Sequence, residues 1–157
     1  MFRLSLTFLC LSISTLCSAN DEEIIAKAKS AVLNQLTVRQ HTDECAKFRV
    51  LAANGEIDKS AAIAKCDNDF NVNYGLEYSD IKVNHTNGSD TICGIVSGRT
   101  ELSRIGARFV YEAESESVTL KPSKYPFYNH HSSGEVGKTQ VKLENNQYQI
   151  KYRASCL

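Results

Sequence analysis

Cys45, Cys66, Cys93 and Cys156 are the feature that most restricts how this chain folds, because each is separated from the next by more than 20 positions. Zinc-binding cysteines come in close pairs such as C-x-x-C, and no such pair occurs here, so cysteine ligation of a metal is not expected. An even set in an oxidising compartment reads instead as two disulfides. Four cysteines allow several connectivities, and the local pattern chooses among them. The segment "TDECAKFRVLAANGEIDKSAAIAKCDNDF" predicts a helix from about Asp43 to Ala53, a break at Asn54-Gly55, and a second helix from Asp58 to about Cys66. Asp43 and Asp58 suit N-caps, and Gly55 suits a left-handed terminus. The midpoint between Cys45 and Cys66 falls between Gly55 and Glu56, so an antiparallel helical hairpin folded there brings the two thiols level. Cys93 is left for Cys156.

The oxidising compartment is itself an expectation from the N-terminus. "MFRLSLTFLCLSISTLCSAN" places Arg3 before an apolar run from Leu4 to about Leu16 and then small residues to Ala19, the pattern of a secretory signal peptide. Cleavage after Ala19 removes residues 1–19, with Cys10 and Cys17, and leaves residues 20–157 as a single domain. The apolar run falls short of the roughly 20 residues that span a bilayer, and no later segment is a better candidate. No membrane span is expected after cleavage, and the localisation is periplasmic or secreted. With 18 basic and 18 acidic residues, interspersed, the chain shows neither the basic excess nor the stripe of a nucleic-acid binder.

"NDEEIIAKAKSAVLNQL" opens with Asn20, carries Glu23 three places later, and repeats Ile24, Ala28, Val32 and Leu36 four apart. This predicts a capped amphipathic helix. Beyond Gly75 the pattern changes to short runs rich in β-branched and aromatic residues: "EYSDIKV", "TICGIVSG", "ARFVYEA" and "SVTLKP", the first two joined by the turn signal "NHTNGSD". Each reads as a strand. "TQVKL" and "QYQIKYRAS" around "ENN" read as a terminal hairpin with Tyr148, Ile150 and Tyr152 on one face by alternation. Helices first and strands second predict an α+β domain, in which the N-terminal helix and the disulfide-stapled helical hairpin pack on a mostly antiparallel β-sheet. Gly94 and Gly98 inside a strand predict a bulge or a close approach by a neighbour. Arg99, Arg104 and Arg108 read as solvated charges that discourage edge pairing.

"EYSDIKV" followed by "CGIVSGRTELSRIGARFVY" resembles a group of small exported bacterial proteins of uncharacterised function, which share a CGEVNGKN-like strand followed by a G-x-x-x-F-like strand. Cys93, Gly94, Val96 and Gly98 match the first part, and Gly106 with Phe109 approximate the second, within residues 77–111. Ile95 and Ser97 replace the Glu and Asn of that motif, and the helical hairpin is an addition. The resemblance implies an exported, periplasmic protein and brings no catalytic residues with it.

The segment "KPSKYPFYNHHSSGEVGK", residues 121–138, holds the candidate binding residues Tyr125, Phe127, Tyr128, His130 and His131 between two elements and has no regular periodicity. Adjacent histidines in an extended segment point to opposite sides. His41, His85 and carboxylates such as Glu135 are all that is left to complete a zinc site, so no metal and no other cofactor is expected. "HHSSGE" is not the G-x-S-x-G elbow of a hydrolase. Aromatic side chains on a loop held by a rigid scaffold favour recognition of another protein, here one of the cell envelope, as an inhibitor or immunity protein would. The alternative is an envelope hydrolase with His130 or His131 as general base. Asn84 and Asn87 begin formal N-glycosylation sequons, which form only a polar turn if the bacterial resemblance holds.

Overall fold

The computed structural model describes residues 13–39, 42–86, 88–124 and 135–157. Helix α1 spans Ile13–Arg39, α2 Thr42–Ala53 and α3 Lys59–Cys66; a 3-10 turn at Val72–Tyr74 leads to strands β1 Glu77–Thr86, β2 Ser89–Arg99, β3 Arg104–Glu112 and β4 Ser117–Pro122, and helix α4 Glu135–Ser155 follows. The strands form one four-stranded sheet in the order β1-β2-β3-β4. Every neighbouring pair is antiparallel. This is the expected α+β class, and the first three helices and four strands fall where the sequence puts them. Because α1 begins at Ile13, Asn20 lies inside the helix rather than capping it.

Alternation along the strands gives the sheet two apolar faces. Ile105, Ala107, Phe109 and Tyr111 of β3 point one way, together with Ile92 and Val96 of β2 and Leu120 of β4, and meet the α1 stripe Ile24, Ala28, Val32 and Leu36. These four α1 residues are at most 7% exposed, and Ala28 and Val32 are wholly buried. The four-residue spacing of that stripe is the reason α1 lies flat on the sheet. Tyr78 of β1 joins this layer edge-on to Phe109 at 6.2 Å, and its hydroxyl donates to the Lys29 carbonyl at 3.0 Å.

Gly94 and Gly98 belong to the same face. A Cβ on Gly94 would stand 2.8 Å from Ile81 Cδ1 and 2.8 Å from Phe109 Cζ; one on Gly98 would stand 3.0 Å from both Leu76 and Phe70. The close-approach reading of these glycines therefore holds. The bulge lies on the partner strand, where the β1–β2 register shifts between Ser79 and Lys82 and Asp80 takes φ +52°.

The opposite face carries Cys93, Val110, Tyr148 and Cys156. Here the terminal-hairpin reading is overturned, since residues 135–155 form α4. Tyr148 and Tyr152 are four apart, so both fit one face of a helix as well as one face of a strand. They stack at 5.6 Å and 22°. Ile150 is the residue that separates the two readings, and at 61% exposure it faces away from its two neighbours.

Both disulfides form as the sequence predicts. Cys45 and Cys66 lie 4.9 Å apart between Cα atoms, and Cys93 and Cys156 lie 6.1 Å apart. In the hairpin, α2 closes with Gly55 at φ +76°, while Glu56 N–H donates to Leu51 O and Gly55 N–H to Ala52 O. That bond pair is the Schellman arrangement that terminates a helix at glycine. Asp58 occupies the N-cap position of α3 without a side-chain cap bond, and Asp43 lies within the first turn of α2. Lys65 pairs with Glu44 at 2.6 Å across the hairpin. Among the described residues no helix is long and apolar enough to cross a membrane.

Candidate functional site

Tyr125, Phe127, Tyr128, His130 and His131 lie outside the described residues. What the structure describes is the frame on either side of them. The preceding flank is Lys124, whose ammonium donates to Asp67 Oδ2 at 2.7 Å and to Ser103 Oγ. Ser103 donates to Asp67 Oδ1. Thr100, wholly buried, donates to the same oxygen at 2.8 Å and accepts from the N–H groups of Leu102 and Ser103. The hydrogen bond from Lys124, then that from Ser103, hold the Asp67 carboxyl below the usual carboxylate range.

This cluster ties the end of α3, the β2–β3 turn and the end of β4 to one carboxylate. Ser103 beside Lys124 invites comparison with a nucleophile and its base, but such a base must accept a proton. Lys124 instead donates to both neighbours and serves Asp67 as a counter-charge. The cluster fixes position.

The following flank is α4, which is attached along its length. Lys151 pairs with Glu112, and this bond, with help from Ser117, lowers the Glu112 pKa. Tyr148 is 1% exposed, with the Lys121 ammonium 5.8 Å from its ring centre. Beyond the helix, Cys156 is bonded to Cys93 in the middle of β2. The aromatic segment thus begins and ends on elements that the core and a disulfide hold in place.

A second arrangement escaped the sequence reading. Helix α4 lies over β3 and β4, and beside its C-terminal half a groove of about 430 Å3 opens over β1 and β2. Gly94, Ile95 and the Cys93–Cys156 bridge form its floor, Tyr148 and Tyr152 one wall, and Lys82, Arg108 and Asp80 its charged rim. Strand register sets this: Lys82 pairs with Cys93 and Arg108 with Ile95, so both cations rise on the α4 side of the sheet. Burial raises the Tyr148 pKa, and the nearby Arg108 charge offsets part of that rise. The helical period of Val141, Asn145, Tyr148 and Tyr152 was the signal that would have revealed it.

His85, one of the histidines left over for a metal, has a different role. Its Nδ1 lies 2.7 Å from Asp90 Oδ1 and its Nε2 lies 3.2 Å from Asp21 Oδ1. The hydrogen bond to Asp90 raises its pKa. The imidazole bridges α1 to the β1–β2 hairpin, and among the described residues no group of three or more His, Cys, Asp or Glu is placed to hold a metal ion. Of the arginines, Arg104 pairs with Glu77 at 3.9 Å and Arg99 lies over the Tyr74 ring at 5.9 Å. Comparison with family models, with curated proteins and with solved structures finds no match for this chain.

Proposed function

We propose that this chain is an exported, disulfide-braced binding protein that holds another protein of the cell envelope, in the manner of an inhibitor or immunity protein, and that Tyr125, Phe127, Tyr128, His130 and His131 carry the contact. The observation behind this reading is the frame. A ten-residue segment, 125–134, containing three aromatic rings joins two flanks that are independently fastened, Lys124 by Asp67 and Ser103 and α4 by Lys151 and the Cys93–Cys156 bridge. Fastened ends reduce the entropy lost when a connecting segment closes on a partner, and tyrosine rings supply contact area at small rotamer cost. The leader-like N-terminus and the resemblance of residues 77–111 to small exported bacterial proteins support the compartment.

The test is capture of partners from the envelope fraction of an expressing bacterium, with the tagged chain and with a variant carrying Tyr125→Ala, Phe127→Ala and Tyr128→Ala. Partners retained by the parent and lost by the variant are the expected result. Undiminished capture removes the segment from the account. A hydrolytic activity on envelope polymer that disappears with His130→Ala or His131→Ala replaces the binding reading with the enzymatic one. The mass of the purified chain, expected to begin at Asn20, tests export.

A further inference from the structure

We infer that the groove beside α4 is a binding site for an organic carboxylate with an apolar body, held by Arg108 and Lys82 with the Tyr148 hydroxyl as a further donor. The inference is independent of the segment between Lys124 and Glu135, and its failure leaves that reading untouched.

Three observations converge. First, the two cations are uncommitted: among the described residues neither Lys82 nor Arg108 makes an ion pair. The cations of the other surface hollows are engaged, Lys27 with Glu23 at 2.7 Å, Arg104 with Glu77 and Arg99 with the Tyr74 ring. Arginine presents a planar fork that matches a carboxylate with two parallel bonds.

Second, Tyr148 is 1% exposed, yet among the described residues its hydroxyl forms no hydrogen bond. Tyr148 lines the groove. Burial favours its protonated form, so it is a donor, and a donor is what a carboxylate requires.

Third, the remaining surface is apolar and preset. The Gly94 backbone, Ile95, Tyr148 and Tyr152 line it, and the stacked pair is locked by the disulfide that follows in sequence. The volume of about 430 Å3 lies within the span of small-ligand pockets, roughly 300–1,000 Å3. The strained backbone at Asp80, φ +52°, lies in the bulge that opens β1 here. Its carboxylate opposes an anion and marks the rim that the head group avoids.

A carboxylate of this form has two sources, a free small acid or the C-terminal carboxylate of a polypeptide. The experiment uses the oxidised full chain with 13C-labelled tyrosine, follows the Tyr148 and Tyr152 ring resonances, and adds 3-phenylpropionate, its neutral amide, inorganic phosphate, and the peptide acetyl-Ala-Ala-Phe with a free or an amidated C-terminus. The acid is expected to bind at least about tenfold more tightly than its amide, as a charge-assisted contact demands. Arg108→Gln and Lys82→Gln, on exposed side chains, should each weaken it several-fold. Tyr148→Phe should weaken it while keeping the ring stack and the melting temperature, and Asp80→Asn should tighten it. A free-terminus peptide that binds more tightly than 3-phenylpropionate assigns the site to a polypeptide end; a weaker one assigns it to a free acid. Equal affinity for acid and amide, phosphate bound as well as the acid, insensitivity to Arg108→Gln and Lys82→Gln together, or no binding of any carboxylate at millimolar concentration each overturns the inference.

Discussion

Gly94→Ala adds one methyl group at the most crowded point of the sheet. Built on the existing backbone, that carbon comes within 2.8 Å of Ile81 Cδ1 and within 2.8 and 2.9 Å of two ring atoms of Phe109. The Ile81 terminus belongs to a half-buried side chain and rotates away at little cost. Phe109 does not, because it is wholly buried, held between the α1 stripe and the edge of Tyr78. Forcing an extra carbon into such a layer costs about 1–3 kcal/mol, from which the general gain of alanine over glycine in a strand, about 0.5–1 kcal/mol, is subtracted.

Gly106→Ala is the control, since its Cβ would meet nothing nearer than Val96 O at 3.7 Å. That variant should be neutral or gain the full alanine increment. The two glycines sit on neighbouring strands of one sheet, so backbone entropy is matched and the difference reports crowding. Urea unfolding followed by circular dichroism, with the disulfides intact, should place Gly94→Ala about 0.5–2 kcal/mol below the parent, or about 2–4 °C lower in Tm for each kcal/mol at this chain length. Gly94→Ala as stable as Gly106→Ala would refute the packing argument. Phe109→Leu in the Gly94→Ala background should restore part of the loss, because it removes the ring edge that the methyl strikes.

Other outcomes follow from the cross-links and the carboxylate cluster. Cys93→Ser with Cys156→Ser should cost about 4 kcal/mol and Cys45→Ser with Cys66→Ser about 3 kcal/mol by loop entropy, with near-ultraviolet tyrosine dichroism lost mainly in the first; melting unchanged by reductant would contradict both. The Asp67 carboxyl is held low by Lys124 and Ser103, so its contribution to stability is complete above its unfolded pKa of about 3.9 and is lost as pH falls through the lower folded value. Asp67→Asn should therefore flatten the acid limb of a stability–pH curve, and an unaltered limb would show that the cluster does not couple to folding.

The sequence carried the first two-thirds of the fold because its signals there were local. The spacing of Ile24, Ala28, Val32 and Leu36 admits only a helix, and the symmetry of Cys45 and Cys66 about Gly55 leaves the hairpin little freedom. Helix α4 was illegible for a physical reason: Tyr148 and Tyr152 satisfy both periods, and Ile150, which alternation places with them, is an outward-facing apolar residue. The Lys, Gln and Glu residues between Lys138 and Lys151 favour helix, and that preference outweighed the strand-like rings once α4 packed on β3 and β4. The groove was hidden with it. Its cations come from β1 and β3 and its phenols from α4, so no short stretch of chain contains it.

The bridge between β2 and the end of α4 also sets an order of arrival. Of the four bridged cysteines, Cys45, Cys66 and Cys93 emerge from synthesis before Cys156 does, and Cys93 waits for that last one. A helical hairpin closes in microseconds, far faster than sulfur oxidises, so Cys45 and Cys66 meet and consume one another first. Early closure of the hairpin thereby withdraws the two rivals of Cys156 and leaves Cys93 a single suitor among the bridged cysteines.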